Sequence, residues 1–149
     1  MEIKELIKRK KRIIFFFAIG FIGALVNILI IYLYNGYCEP TTLLAENIGN
    51  FLGIEISTLI CFILNRQFTW SDRPKLYNQK LLRQIIIYHL AVGISIIIRL
   101  IIFPLIQFTG LDYISNTLIG ITIGAIINYF MFDKIVFRVT QSNYNMVTK

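Results

Sequence analysis

The chain has 149 residues, of which 56% are hydrophobic and 15% charged, with a formal net charge of +7. That balance excludes an ordinary soluble domain, and four apolar runs consume so much of the length that no soluble catalytic domain fits beside them. A net positive charge suits a nucleic-acid binder when the charges share one face, but here they follow the edges of the apolar runs, so no nucleic-acid partner is expected.

Residues 1–12 hold Lys4, Lys8, Arg9, Lys10, Lys11 and Arg12 and read as a basic cytoplasmic N-terminus. The first apolar run covers 13–34. It is longer than a secretory h-region and more spans follow, so it reads as a membrane helix rather than a cleaved leader. Gly20, Gly23 and Asn27 align along it and permit close helix contact, within the chain or along a homodimer seam. The connection 35–44 has no Lys or Arg and carries Cys38.

The second run, 45–64, is greasy except for one stripe. At about 100° per residue, Asn50, Glu55, Ser57, Thr58, Cys61 and Asn65 all fall within about 80° of Asn47. Lipid disfavours such a stripe, which therefore should face other helices or a cavity. Cys38 and Cys61 sit toward opposite faces, so they form no disulfide framework. The linker 71–84 mixes Arg73, Lys75, Lys80 and Arg83 with apolar residues, which suits either a membrane-surface segment or a solvated loop.

The third run, 85–106, contains His89 and Arg99; the fourth, 116–132, contains Gly120, Gly124 and Asn128 at four-residue spacing. Between them, 107–115 again lacks Lys and Arg, and the chain closes with Lys134, Arg138, Lys149 and a polar tail from 139. Runs of about 17 to 22 residues at a 1.5 Å rise suit a hydrocarbon core of about 30 Å. Basic segments lie on the cytoplasmic side, which places both ends inside. The expected fold is an all-α membrane protein of four transmembrane helices, with the membrane domain at 13–138.

Two copies of one unit are discernible. A shift of 67 residues lays Gly53 on Gly120, Phe62 on Tyr129, Gln67 on Lys134 and Trp70 on Phe137. Two spans per unit give a parallel repeat. Ionised groups inside spans are costly, at about 2.5 to 3.5 kcal/mol. Glu55 and Arg99 stand about 15 and 21 Å from the inner ends of their helices. They suit either a mutual ion pair or a site for an anionic or hydroxyl-rich ligand. His89 is a turn inside the boundary and suits an interfacial hydrogen bond.

Enzyme signatures are missing: one His, no glycine-rich phosphate loop, no metal-ligand cluster and no nucleophile elbow. No catalysis, cofactor or metal is expected.

The inner ends of the second and fourth runs read Asn65-Arg66-Gln67-Phe68-Thr69-Trp70 and Asn128-Tyr129-Phe130 through Lys134-Ile135-Val136-Phe137, and the first run opens Ile14-Phe15-Phe16-Phe17-Ala18-Ile19-Gly20. In these motifs, over roughly 13–138, the chain resembles the GtrA-like family of small four-span membrane proteins. The resemblance implies a multi-pass protein of the cytoplasmic membrane that serves cell-surface polysaccharide synthesis or envelope glycosylation. It would move a polyprenyl-phosphate-linked sugar, or assist a membrane glycosyltransferase without transporting. By position, Asn65, Trp70, Asn128, Lys134 and Phe137 are the motif residues. Where the family usually carries an aromatic and then Arg at the start of the third span, Ile85 and His89 stand here, and Asp133 occupies the place matching Arg66. Arg66, Arg83 and Lys134 suit the phosphate, and the stripe through Asn50 to Asn47 suits sugar hydroxyls. The expected partners are the lipid-linked sugar, membrane lipid, a glycosyltransferase and a second copy of the chain. A small four-helix cation or drug exporter is the other reading; it needs a membrane-embedded acid, for which Glu55 is the candidate.

Overall fold

The computed structural model describes residues 2–39, 41–73, 79–110 and 113–138, and among these all regular structure is helical. Helix α1 (Glu2–Cys38) is followed by α2 (Leu43–Leu64), which passes without a break into a π-helical turn, Asn65–Thr69. Helix α3 (Gln79–Gln107) and α4 (Tyr113–Met131) follow, and α4 likewise ends in a π-helical turn, Phe132–Val136. Four segments are long and apolar enough to cross a membrane: Leu6–Cys38, Leu44–Thr69, Leu81–Ile106 and Leu118–Val136. The protein is a multi-pass membrane protein. The tail from 139 and residues 74–78 of the linker lie outside the described residues.

The first helix is longer than the apolar run 13–34 that it contains. Helix α1 runs 37 residues through the basic segment without interruption, because Lys, Arg, Glu, Leu and Ile are all good helix formers and no Gly or Pro precedes Gly20. At about 55 Å it exceeds a hydrocarbon core of about 30 Å, so one end must project beyond it. Helix α2 starts at Thr42, whose extended backbone and hydroxyl, accepting from the Ala45 amide at 3.3 Å, cap the orphan donors of the first turn. Helix α3 ends where Gly110 takes a φ of +79°, a conformation that costs glycine little.

The chain divides into two compact units, Met1–Asp72 and Arg73–Lys149, each a pair of neighbouring helices closed by a π turn. In the first, α1 packs antiparallel on α2. A Cβ at Gly53 would stand 2.3 Å from the side-chain oxygen of Asn27 and 3.2 Å from its backbone oxygen, so only glycine lets the helices approach there. The buried residues of α2 and its π turn, Gly49, Gly53, Ser57, Phe62, Asn65 and Thr69, trace the seam, and the Cys61 thiol donates to the Ile19 carbonyl at 3.6 Å. In the second unit the buried face of α3 is Gln84, Tyr88, Ala91 and Ser95. Tyr88 stacks on Phe132 at 4.2 Å, and farther along Arg99 lies against Gly120 of α4.

Polar and small residues thus occupy the seams while large apolar side chains look outward: Phe21, Ile28 and Leu100 are 67%, 65% and 68% exposed. In lipid, outward Phe and Leu carry no penalty, and close packing and hydrogen bonds hold the helices together.

Candidate functional site

The two π turns supply the geometry. A π turn closes its hydrogen bond one residue later than an α-helix. In the first unit the Trp70 amide donates to the Asn65 carbonyl at 2.9 Å; in the second, the Phe137 amide donates to the Phe132 carbonyl at 2.9 Å. The offset between the turns is the 67 residues that the sequence comparison found, Asn65 to Phe132 and Thr69 to Val136.

Each turn throws its final aromatic inward. Trp70 is 1% exposed and meets Phe16 edge-on at 6.3 Å and 77°. Phe137 is 4% exposed and meets Tyr88 edge-on at 6.4 Å and 70°. Both rings, which at a span end would equally suit the membrane interface, form interior walls. Asn65 is 2% exposed, and its side-chain oxygen accepts the Thr69 hydroxyl at 2.8 Å. Its place is the scaffold of the turn.

Ion pairs fasten these ends within each unit. Arg12 of α1 binds the carboxylate of Asp72, two residues past Trp70. Arg73 binds the carboxylate of Asp133 and also donates to the backbone carbonyls of Asp133 at 2.6 Å and Phe137 at 2.5 Å. The guanidinium so satisfies carbonyls that the helix end leaves open. Gln84 adds a bond from its amide to the Val136 carbonyl at 2.9 Å. Asp72, Arg73, Gln84 and Asp133 carry no motif beyond their proximity to the span ends, and the sequence pattern gave Arg73 only a linker role.

Around this frame stand further charged and polar groups. Lys134 sits inside the second π turn and is exposed, as are Arg83, next to Gln84, and Arg138. Arg66 is half-buried in the first π turn. Lys11 lies over the Phe15 ring at 5.6 Å, and that ring stacks on Phe68 at 6.1 Å. His89 is half-buried, and its Nδ1 lies 2.9 Å from the Ile85 carbonyl, an arrangement that makes Nδ1 the protonated nitrogen. Asn128, a turn before the second π turn, keeps a buried side-chain oxygen with no partner among the described residues.

The polar stripe of α2 divides. Ser57 and Asn65 are buried in the seam, while Asn47 and Asn50 are exposed and Glu55 and Thr58 are intermediate. The reason is that α1 tracks along Gly49 and Gly53, which lie off the azimuth of Asn47 and Asn50. At the loop end of this hairpin, Asn50 joins Ile31, Asn35, Glu39 and Glu46 in an open cleft of about 490 Å³. Glu55 belongs to the first unit and Arg99 to the second.

A family model described as GtrA/DPMS, transmembrane domain, matches residues 15–137. No curated protein matches the chain.

Proposed function

The chain belongs to the GtrA/DPMS transmembrane-domain family, and on that premise we propose that it carries a polyprenyl-phosphate-linked sugar across the cytoplasmic membrane for glycosylation of cell-surface polymers. Both chain ends and both π turns then lie on the cytoplasmic side, and the two hairpins are parallel copies. The observation that carries this reading is the exposed ammonium of Lys134 on a turn that Arg73 and Gln84 hold rigid. A cation on a fixed frame at a span end is suited to a lipid phosphate, which sits at that depth.

Each hairpin offers its own phosphate-binding end, Arg66 in the first and Lys134 with Arg83 in the second. Asn65, Trp70 and Phe137 hold these ends in shape. Sugar hydroxyls exchange water for the unsatisfied oxygen of Asn128 in the second unit, or for Thr58, Glu55, Asn50 and Asn47 along the first, while the prenyl tail stays in lipid. No bond is made or broken, so the protein lowers a barrier to crossing and needs no catalytic group. Its partners in this reading are the lipid-linked sugar and the membrane glycosyltransferase that receives it.

The test is the purified full chain in proteoliposomes that hold a radiolabelled polyprenyl-phosphate sugar in the inner leaflet. Transfer to the outer leaflet without any other protein supports transport. Transfer that appears only when a glycosyltransferase is added makes the protein an assembly partner instead.

A further inference from the structure

Of the fifteen Lys and Arg residues, the others lie at the ends of the apolar runs 13–34, 45–64, 85–106 and 116–132 or beyond, and only Arg99 stands within one. It lies seven residues before the third span ends at Ile106 and eighteen after it starts at Leu81, so it sits in the half away from the π turn, about 11 Å from the end. A cation at such a depth needs a counter-charge. Within its unit, no hydrogen bond or ion pair joins the guanidinium to another described residue.

Helix α4 is cut away to receive this side chain. A Cβ at Gly120 would lie 3.4 Å from both Cγ and Nε of Arg99 and 3.8 Å from Cδ. The arginine stem therefore lies in van der Waals contact with the glycine's place, where alanine would still fit but a long side chain such as leucine would compete for the same space. One turn earlier on the same face stands Asn116, at 0% exposure, so the polar strip continues from the glycine toward the start of α4. The stem is braced by the helix and the head is left to reach toward the near interface. A guanidinium held this way presents a planar fork that matches two oxygens of a phosphate.

We infer that Arg99, seated on Gly120, is an anion site for a lipid phosphate at the end of the second hairpin opposite its π turn. The inference rests on the proposed function in one respect only, that the phosphate belongs to the lipid-linked sugar. In that case Lys134 holds the phosphate on the inner side and Arg99 receives it on the outer side. The same chemistry is offered by bulk phosphatidylglycerol, and the experiment separates the two.

The full chain is placed in phosphatidylcholine nanodiscs, and native mass spectrometry measures its binding of decaprenyl phosphate and, separately, of phosphatidylglycerol. Arg99→Gln is expected to weaken decaprenyl phosphate binding about tenfold, and Arg99→Lys, which keeps the charge but loses the fork, about threefold. Gly120→Leu keeps the arginine but takes its seat and should match Arg99→Gln. If phosphatidylglycerol binding falls in parallel, the site takes lipid phosphate in general; if it does not, the site selects the prenyl carrier. Loss of phosphatidylglycerol binding in Arg99→Gln, with no decaprenyl phosphate bound by the wild-type protein, keeps the anion site and sinks the lipid-linked sugar. Binding of both lipids by Arg99→Gln within about twofold of wild type overturns the Arg99 site, and a simultaneous loss in Lys134→Gln would leave the proposed function standing.

Discussion

Thr69 gives its hydroxyl hydrogen to the side-chain oxygen of Asn65 at 2.8 Å, across a turn whose backbone is wound one residue wider than an α-helix. Both residues are 2% exposed. The bond joins the first and last residues of the turn inside the buried interior, at the point where Trp70 leaves the helix.

Replacing Thr69 by valine keeps the volume but leaves the Asn65 oxygen buried without that donor. The cost should be about 1 to 2 kcal/mol. Thermal unfolding in detergent, followed by circular dichroism, should show a lower midpoint, and Thr69→Ser should restore most of it. An unchanged midpoint for Thr69→Val would mean that the turn is held by its backbone alone.

Arg73 and Asp133 should behave as one unit. Their side chains are only 13% and 19% exposed, and Arg73 also serves two backbone carbonyls. Arg73→Gln should therefore be worse than Asp133→Asn, since it orphans three acceptors rather than one donor. In a double-mutant cycle the coupling should be about 1 to 3 kcal/mol, read from folded yield and thermal midpoint. Strict additivity would show that the carboxylate contributes nothing beyond what the carbonyls already supply.

Topology has a direct readout in the two thiols. Cys38 is exposed at the end of α1 and Cys61 sits in the seam against Ile19. In intact cells an impermeant maleimide should label Cys38 and spare Cys61, while an epitope placed after Lys149 should be reached only after permeabilisation. Labelling of that epitope in intact cells would invert the reading of the basic segments.

What was legible in the sequence follows from which forces act at long range. The length of an apolar run identifies a span because hydrophobic thickness averages over many residues. A shift of 67 residues was visible in the sequence, with Gly53 on Gly120, each beside a neighbouring helix. The π turns were not, because widening by one residue depends on local partners such as Thr69 and Asn65 and has no composition of its own. For the same reason Trp70 and Phe137 pattern as interfacial aromatics; only the turn geometry carries them inside. Arg73 looked like any other linker cation until the carbonyls of Asp133 and Phe137 were placed around it. For α2 the wheel gives azimuth alone and does not say where a neighbouring helix crosses, so it does not separate Ser57 and Asn65, which enter the seam, from Asn50, which lines the cleft.

Lys134 provides the sharpest test of the proposed function. It is exposed, and no bond of its ammonium supports the turn in which it sits, whereas Arg73, Gln84 and the Phe137 amide hold that turn without it. Lys134→Gln should leave thermal midpoint and protein level as in wild type and yet reduce envelope glycosylation at least about tenfold, the loss of a charge-assisted phosphate contact. Asn65→Ala should also reduce glycosylation, but through the turn, so its defect should come with a lower midpoint. Arg138→Gln, one residue past Phe137 and equally exposed, should do little. The contrast separates a cation that meets phosphate from one that merely keeps the segment inside. Normal glycosylation by a well-expressed Lys134→Gln variant would remove the phosphate site from the second hairpin and leave the π turns as packing devices.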